Sequence, residues 1–351
     1  MRMLRFILLN IVFWTLILSQ GCVDEVNLKI DQDLQKITIV GLISDSLREH
    51  KIEIFRSAVL GLGQDNIYEP ISQAKVTVHD DAGTVIPFVE SATPGTYSTM
   101  VQGVAGRQYW LEAELPDQTF IKSEPALLLP SPPIDSLTYE VGKFTFINNL
   151  SQLVEVEQVF VKANTQVEPA TKQKFRWRVE GEYEFHEYEG PGSKFCWIKN
   201  NVDFNQLYIF DAERLGGRAL SEQPVASTDI NERFAFKYCF HVSQYALTER
   251  EFNYWNQIKS IININGSLFD PPPGNVKGNL FSVNQPEEQI FGYFSVCGSS
   301  FKRLFVKPQD LGFSSLPGFC RRRFGTPGSQ ECSDCRIIRH GTAERPEYWG
   351  F

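Results

Sequence analysis

Stretches in which apolar and polar residues alternate recur along most of the chain. Residues 51–56 alternate, and residues 109–114 place apolar side chains on one face and acidic side chains on the other. Residues 36–43 alternate and then become continuously apolar, and residues 74–79 alternate again. A period of two residues is typical of half-buried β-strands. The pattern therefore predicts a protein built mainly of β-structure.

The strands fall into two blocks. Several short strands at a spacing of roughly ten residues predict an Ig-like or transthyretin-like β-sandwich over residues 36–130. Residues 129–133 contain three prolines, which make a stiff linker that cannot pair as a central strand. Beyond it, residues 175–179 and 182–186 alternate once more. We therefore predict a second β-rich domain over residues 131–351.

One segment has helical periodicity instead. Thr248 and Glu251 have the spacing of a capping box at a helix start. The apolar residues that follow recur at helical spacing: Phe252, Trp255, Ile258 and Ile262. Such a stripe is typical of a helix that packs one face on its neighbours. The second domain is therefore expected to carry one amphipathic helix over about residues 249–264, packed on a sheet.

The first 22 residues have the order of a secretory signal. Arg2 and Arg5 precede an apolar run over residues 6–18, which is too short to span a bilayer comfortably. Ser-Gln-Gly-Cys follows, with Ser19 where leucine is usual in bacterial lipoproteins. We predict a lipoprotein signal peptide over residues 1–21, cut before Cys22, and acylation of Cys22. An ordinary cleaved signal followed by a chance cysteine is the alternative.

Acylation would fix an otherwise water-soluble body to the outer membrane. Each buried CH₂ group of an acyl chain contributes about 0.8 kcal/mol, so several chains anchor firmly. Residues 22–35 form the predicted tether, and no later run reaches the length of a membrane span. Asp24 and Glu25 resemble the acidic export signal of Bacteroidota lipoproteins, which predicts a position facing the cell surface. Outer-membrane lipid is thus the first expected partner.

Composition and charge exclude several protein classes. With 351 residues, 42% of them apolar and 13% aromatic, the chain is too apolar to be disordered. Its net charge of −8 becomes about −10 without the two arginines of residues 1–21, which disfavours a nucleic-acid partner. The last 55 residues are nevertheless locally basic around Arg321, Arg322 and Arg323. One interpretation is that these arginines contact either lipopolysaccharide phosphates or an acidic partner. The alternative is a solvated or internally paired cluster.

The cysteines favour disulfide chemistry. Six remain if Cys22 is acylated: Cys196, Cys239, Cys297, Cys320, Cys332 and Cys335. An even number in an exported protein favours disulfides. We expect Cys196 to pair with Cys239, and two bridges to form among the other four.

A metal or redox role for the C-terminal cysteines is the alternative. Cys320, Cys332, Cys335 and His340 have the chemistry of a zinc site, and residues 332–335 have CxxC spacing. Oxidation in an export compartment would remove the thiolates that zinc needs, and no helical stripe follows the CxxC as in a thioredoxin-like motif. We therefore expect no metal and no other cofactor.

Other candidate chemistry is sparse. The chain has no GxSxG, P-loop, HExxH or dinucleotide fingerprint. Glu184 and His186 share one strand face and can seed a metal or acid–base site, although no third group is evident. Ser46 and Ser136 lie in Asp-Ser-Leu triplets that match a Bacteroidota O-glycosylation motif, which requires exposed sites. No catalytic residue is assigned, and a hydrolase whose site is invisible in the sequence remains an alternative.

Segments spread over nearly all of the mature chain resemble one family. The matching segments are residues 37–41, 71–78, 94–97, 133–137, 175–177, 266–270, 278–279, 292–294, 332–336 and 346–349. In this order they are similar to the Bacteroidota outer-membrane lipoproteins grouped as domain of unknown function 4249. Tyr348-Trp349 departs from the usual Phe-Trp ending, and Cys297 is an extra cysteine.

The resemblance implies a β-rich outer-membrane lipoprotein, often encoded beside a TonB-dependent transporter, without catalytic residues to carry over. Gly95, Gly278 and Pro346 are then structural residues of turns, close backbone approach and a rigid tail. We expect a non-enzymatic accessory or binding partner of an outer-membrane β-barrel transporter. A stand-alone carbohydrate- or peptide-binding lipoprotein is the alternative.

Overall fold

The computed structural model describes residues 36–57, 68–148, 150, 152–167, 173–187, 194–202, 206–214, 219–262, 276–313, 316–320 and 330–350. The strands are β1 Ile37–Ser44, β2 Arg48–Ser57, β3 Tyr68–Pro70, β4 Lys75–Asp80, β5 Val85–Glu90, β6 Thr96–Val101, β7 Gln108–Glu114, β8 Phe120–Ser123, β9 Ala126–Leu127, β10 Ser136–Ile147, β11 Leu153–Gln166, β12 Lys174–His186, β13 Phe195–Asn201, β14 Tyr208–Asp211, β15 Ala219–Asp229, β16 Tyr238–Leu247, β17 Leu280–Ser282, β18 Phe291–Val306 and β19 Gly341–Thr342. The helix α1 spans Glu249–Ile262, and short 3-10 turns include Glu232–Phe234, Pro308–Leu311, Cys335–Ile337 and Glu347–Trp349.

The prediction of a mainly β protein with one helix is confirmed. Each alternating segment lies in a strand, and residues 175–179 and 182–186 belong to one continuous strand, β12. Apolar and polar residues alternate in these strands because one face of the strand is buried and the other is not, as the burial of β2 and β7 shows.

The N-terminal strands fold one sheet back on itself. β5 makes the corner, since its first residues pair with β4 and its last two pair with β6. The side chains between the two halves form a closed apolar core that includes Ile52, Ile54, Val76, Val78 and Leu111. This arrangement is compatible with the expected sandwich.

The longest strand, β18, joins the two blocks. The first half of β18 pairs in parallel with β1, and its second half pairs antiparallel with β16. β17 likewise pairs with β8, and Leu280 and Phe294 are part of the N-terminal core. Segments late in the sequence therefore complete the N-terminal block, while the division into residues 36–130 and 131–351 stays a prediction.

Two sheets enclose the second core. The strands β10, β11 and β15 form one sheet, which packs on the face of β12 and β16 that carries Phe175, Trp177 and Phe240. Between the sheets, Oε1 of the buried Gln244 accepts hydrogen bonds from Trp177 Nε1 and Thr165 Oγ1, both at 3.0 Å. A single glutamine thus ties the two sheets together.

The helix begins where the sequence predicts. Thr248 Oγ1 accepts from the backbone N–H of Glu251 at 3.3 Å, which caps the first turn. The Glu251 carboxylate is buried and accepts from Trp255 Nε1 at 3.2 Å. Of the apolar stripe, Phe252, Trp255 and Ile258 are partly buried, whereas Ile262 is 41% exposed. Among the described residues, no helix combines the length and apolar character that crossing a bilayer requires.

Three glycines allow close backbone contacts. Gly95 has φ +72°, in the left-handed region, and a Cβ there would meet Ile54 O at 2.8 Å. A Cβ on Gly278 would lie 1.8 Å from Gly292 O. At Gly298 a Cβ would lie 2.3 Å from Leu129 O, because the proline-rich linker crosses β18 at this point. The expected structural roles of Gly95 and Gly278 are confirmed.

Candidate binding surfaces

One face of the second block looks away from its core. It consists of alternate residues of β12, β16 and β18, the side opposite Trp177, and we call it the outer face. Helix α1 covers one end, where the Trp255 ring lies 3.6 Å from the Arg176 guanidinium. The C-terminal 3-10 turn Glu347–Trp349 covers the other end, where Trp349 packs with Trp197 and Cys239. The middle of the outer face is open.

An open groove with a volume of about 680 Å³ occupies this middle part. Its charged lining residues are Arg48, Arg178, Glu180, Lys199 and Arg303, together with His241. Four Lys or Arg side chains thus face one Glu, in a chain whose net charge is −8. The volume lies in the range of sites for small molecules or short segments of a partner.

Most of the groove's cations have no carboxylate partner among the described residues. Arg178 pairs with Glu180 at 3.0 Å, whereas Arg48, Lys199 and Arg303 form no ion pair there. Arg48 Nε is also buried without a hydrogen-bond partner. The Arg303 guanidinium stacks on the rings of Tyr348 at 3.8 Å and Phe301 at 4.7 Å. Three of the groove's four Lys or Arg side chains therefore lack an ion-pair partner among the described residues, with Lys199 lying opposite Glu182 of β12.

Beside the groove, the C-terminal tail is held by two acids of β12, the buried Glu182 and the partly buried Glu184. Tyr348 Oη donates to Glu182 Oε2 at 2.6 Å, and Trp349 Nε1 donates to Glu184 Oε2 at 3.2 Å. The same carboxylates hydrogen-bond to histidines: His241 Nε2 lies 2.9 Å from Glu182, and His186 Nε2 lies 2.6 Å from Glu184. The tail, two strands and two acid–histidine pairs therefore form one network.

The network lowers the pKa of both acids. Burial alone would raise the pKa of Glu182, but hydrogen bonds from His241 and Tyr348 outweigh it. Burial is likewise outweighed at Glu184 by hydrogen bonds from His186 and Trp349, so its pKa is also lowered. For Tyr348 the reverse holds, because burial and the neighbouring Glu182 raise its pKa. At neutral pH, Glu182 and Glu184 are therefore ionised and accept the hydrogen bonds of the tail, while the Tyr348 hydroxyl keeps the proton that it donates.

The expected pair of Glu184 and His186 is present, but both side chains are engaged in contacts within the protein. Glu184 and His186 do contact each other on one face, as their spacing predicts. The His186 ring is stacked on Phe236, and the second oxygen of Glu184 accepts from Trp349. Among the described residues, no group of three or more potential ligands could hold a metal ion. The pair serves to dock the tail in this conformation.

The predicted pairing of Cys196 with Cys239 is wrong. Cys196 is bonded to Cys335, with Cα atoms 6.0 Å apart, and Cys320 to Cys332, with Cα atoms 5.4 Å apart. The expectation of two bridges among Cys297, Cys320, Cys332 and Cys335 is thus correct only for one of them. The Cys196–Cys335 bond closes a separation of 139 residues and fixes the tail to β13, a constraint worth about 5 kcal/mol in the loop-entropy account.

The strand order explains this error. Cys196 lies opposite Phe185 and Cys239 opposite Glu182, on the two strands that flank β12. Such strands are about 9.6 Å apart, and the two positions point to opposite faces of the sheet. A disulfide needs Cα atoms within about 7 Å. Cys239 and Cys297 instead carry buried free thiols, Cys239 near the tail and Cys297 under α1.

These bonds also remove the zinc alternative. Cys320, Cys332 and Cys335 would have supplied its three thiolates, but all three sulfurs are in disulfides. The CxxC cysteines are bonded to different partners, so they do not form the internal disulfide of a redox motif. His340 is exposed and has φ +64°, outside any ligand cluster of the described residues.

A second exposed surface lies at the end of the β10–β11 hairpin. β15 pairs with β11 only from Gln158 onward, so the described residues 143–148, 150 and 152–156, which we call the hairpin tip, extend beyond that pairing. The register places Phe144, Phe146, Val154 and Val156 on one face. Phe144 and Phe146 are 39% and 40% exposed, with stacked rings 6.1 Å apart.

The end of the hairpin tip is more exposed still. Ile147, Leu150 and Leu153 are 70%, 77% and 75% exposed. On the face opposite Phe144 and Phe146, Lys143 Nζ donates to Glu155 at 2.6 Å, and Ile147 and Leu153 extend that face towards the turn. Exposed apolar side chains thus lie on both faces of the hairpin tip. Contiguous apolar patches of this kind mark sites of contact with another protein or a membrane.

Several predicted residues lie outside the described residues. These are Cys22, the signal peptide, the tether and Arg321, Arg322 and Arg323. Of the two candidate glycosylation sites, Ser136 is exposed, whereas Ser46 is partly buried and its hydroxyl lies 2.8 Å from that of Ser299. Glycosylation of either serine stays a prediction.

Sequence reasoning missed the groove as a unit. The alternation around Arg178 shows that this arginine faces away from the core, and Arg303 is part of the basic C-terminal region. Arg48 and Lys199 carry no such signal. Only the pairing of β1 with β18 and of β12 with both β13 and β16 brings these side chains to one face.

Comparison with known proteins identifies the family. The profile of the family described as "Domain of unknown function (DUF4249)" matches residues 23–303. The chain belongs to the DUF4249 family. The match covers the N-terminal block, the second block up to Arg303 and every lining residue of the groove, and it ends before the C-terminal tail.

Other comparisons add little to the DUF4249 assignment. A search of curated proteins gives no match. Among solved structures, the chain has a TM-score of 0.17 and 11% identity to a cycloalternan-degrading enzyme from Trueperella pyogenes in complex with isomaltose. The alignment covers 77% of this chain and 32% of that enzyme, so the chain spans about a third of its length. A similarity of this size carries no argument about fold or activity.

Proposed function

We propose that this DUF4249 protein is a non-enzymatic outer-membrane lipoprotein that acts as an accessory partner of a TonB-dependent transporter. In this proposal acylated Cys22 holds the chain at the membrane, facing the cell surface. The folded body then contacts the barrel and helps it capture substrate. Tethering raises the effective concentration of the body near its partner, so a modest interface is sufficient.

The hairpin tip is the observation that supports a protein partner. Five large apolar side chains, Phe144, Phe146, Ile147, Leu150 and Leu153, project beyond the sheet with exposures of 39–77%. Aromatic residues in an apolar patch rimmed by charges are typical of the centre of a protein interface. On the face of Phe144 and Phe146, the ion pair of Glu140 with Lys162 supplies charges beside the patch.

Affinity purification of the full chain from its native membranes tests this proposal. We expect a TonB-dependent barrel to co-purify with the natural chain and to be lost from the Phe144→Ser/Phe146→Ser variant. A matched control, Val85→Ser/Val89→Ser, removes two side chains of β5 that are 54% and 69% exposed, and should retain the barrel. Absence of the barrel from the natural chain, or its equal recovery with both variants, would overturn the proposal.

Membrane attachment is tested separately. The Cys22→Ala variant should move to the soluble fraction after cell breakage, since it lacks the acylated sulfur. The natural chain should sediment with membranes. A Cys22→Ala variant that sediments as the natural chain does would refute the lipid anchor.

A second candidate function is a stand-alone binding lipoprotein for a carbohydrate or peptide. The open groove favours it, because a cavity of about 680 Å³ with polar and aromatic lining is suited to a ligand. Saturable ligand binding by a chain that recovers no barrel would support this candidate over the accessory role.

A further inference from the structure

We propose that the groove on the outer face binds an acidic peptide segment, with Arg48, Lys199 and Arg303 contacting its carboxylates. This inference rests on the proposed binding role, since it names the class of molecule that the accessory protein would capture. It concerns a site distinct from the hairpin tip, so each can fail without the other.

Charge is the first argument. Arg48, Lys199 and Arg303 line one cavity without an ion-pair partner among the described residues. Neighbouring like charges repel, and a groove with three such groups gains from an anionic occupant. Arg48 Nε is in addition a buried donor without an acceptor, which costs free energy until an acceptor is supplied. A bound carboxylate supplies the missing counter-charge in the groove.

The second argument is the way Arg303 is held. Its guanidinium lies against the Tyr348 ring at 3.8 Å and the Phe301 ring at 4.7 Å. A stacked guanidinium keeps its planar set of donors in one orientation, which suits bidentate contact with a carboxylate. Because the docked tail supplies Tyr348, the tail pre-forms this part of the groove.

The third argument separates a peptide from an acidic sugar. Leu47 is 69% exposed and Phe301 is 49% exposed, and both line the groove beside the cations. A peptide that alternates acidic and apolar side chains places carboxylates on the arginines and apolar groups on these two residues. A uronic-acid oligosaccharide carries no aliphatic side chains, so it would bury less apolar surface against Leu47 than such a peptide does.

Fluorescence anisotropy on the full chain in detergent tests the proposal. The probe is a labelled short peptide of alternating aspartate and leucine, compared with the same peptide carrying asparagine in place of aspartate. We expect saturable binding of the acidic peptide that weakens with added salt, and far weaker binding of the neutral one.

Variants locate the site. Arg303→Gln and Arg48→Gln should each weaken binding about tenfold or more, as loss of a hydrogen bond to a charged group does. Arg303→Lys keeps the charge and should retain more affinity than Arg303→Gln. The matched control, Arg56→Gln, removes a cation of the same strand as Arg48, paired with Asp117 and about 26 Å away, and should bind normally. Unchanged urea unfolding curves verify that the variants are folded.

Three outcomes would overturn the inference. These are equal binding of the acidic and neutral peptides, equal losses in Arg56→Gln and Arg303→Gln, and binding of oligogalacturonate without binding of the acidic peptide. Because no barrel is present in this assay, failure here leaves the transporter test intact. Loss of the barrel from the affinity purification likewise leaves the peptide result standing.

Discussion

Replacing Gln244 tests how the two sheets of the second block are joined. Its side chain is fully buried, and its Oε1 accepts from Trp177 Nε1 and Thr165 Oγ1, both at 3.0 Å. Its Nε2 donates to Pro132 O at 2.9 Å, in the proline-rich linker. It also donates to Ser131 Oγ at 3.5 Å. Gln244→Leu keeps the approximate volume and removes all four hydrogen bonds.

The expected cost follows from burial of the partners. Trp177 and Thr165 are 3% and 1% exposed, so water does not replace the lost acceptor. Each buried donor left unsatisfied costs about 1–3 kcal/mol. The added apolar burial of leucine offsets part of this. We expect Gln244→Leu to lower the free energy of unfolding by about 3 kcal/mol.

Urea unfolding of the full chain with its disulfides intact, followed by tryptophan fluorescence, measures this loss. In a Thr165→Val background one of the two buried donors is already absent, so Gln244→Leu should cost about 1 kcal/mol less. The control Gln257→Leu, at an exposed glutamine of α1, should stay within about 0.5 kcal/mol of the natural chain. A loss below about 1 kcal/mol, or the same loss in both backgrounds, would refute the reasoning.

Three further predictions concern the tail and the cysteines. The folded pKa of Glu182 is lowered, so its contribution to stability is complete above the ordinary carboxyl pKa and is lost as pH falls through the folded value. Glu182→Gln should therefore flatten the acid side of the urea midpoint against pH, and an unchanged slope would contradict this. Trp349→Ala removes a side chain that is 2% exposed and should cost about 3 kcal/mol and speed proteolysis of the tail, whereas natural stability would show that the tail is dispensable. Burial raises the pKa of the Cys239 thiol to about 12, so Cys239 and Cys297 should resist alkylation in the native chain and react only after unfolding without reductant. Mass spectrometry should then count two labels, and four or more would refute the disulfide assignment.

The sequence was sufficient for features that depend on neighbours along the chain. Alternation located β2, β7 and β12, because one face of each is buried. The helix start was predictable because the Thr248 cap and the first apolar residues are local. The close approach at Gly278 was expected from the resemblance, and Gly95 from its turn.

Features that depend on strand order were not predictable. β1 pairs with β18 across more than 240 residues, and nothing local specifies that partner. The predicted Cys196–Cys239 disulfide was wrong for the same reason. The pairing of β13 and β16 with β12 decides on which side of β12 each cysteine lies and to which face of the sheet it points. The groove collects Arg48, Lys199 and Arg303 from three strands, so it exists only in the assembled sheet.

The accessory role is tested most directly by photo-crosslinking from the hairpin tip in intact cells. A photoreactive phenylalanine analogue placed at Phe144 should give a covalent product with the TonB-dependent transporter. The same analogue at Phe195, which is 47% exposed on another strand, serves as control and should give none. Products with lipid alone, or no product from position 144 in a folded, membrane-bound chain, would contradict the proposed partnership.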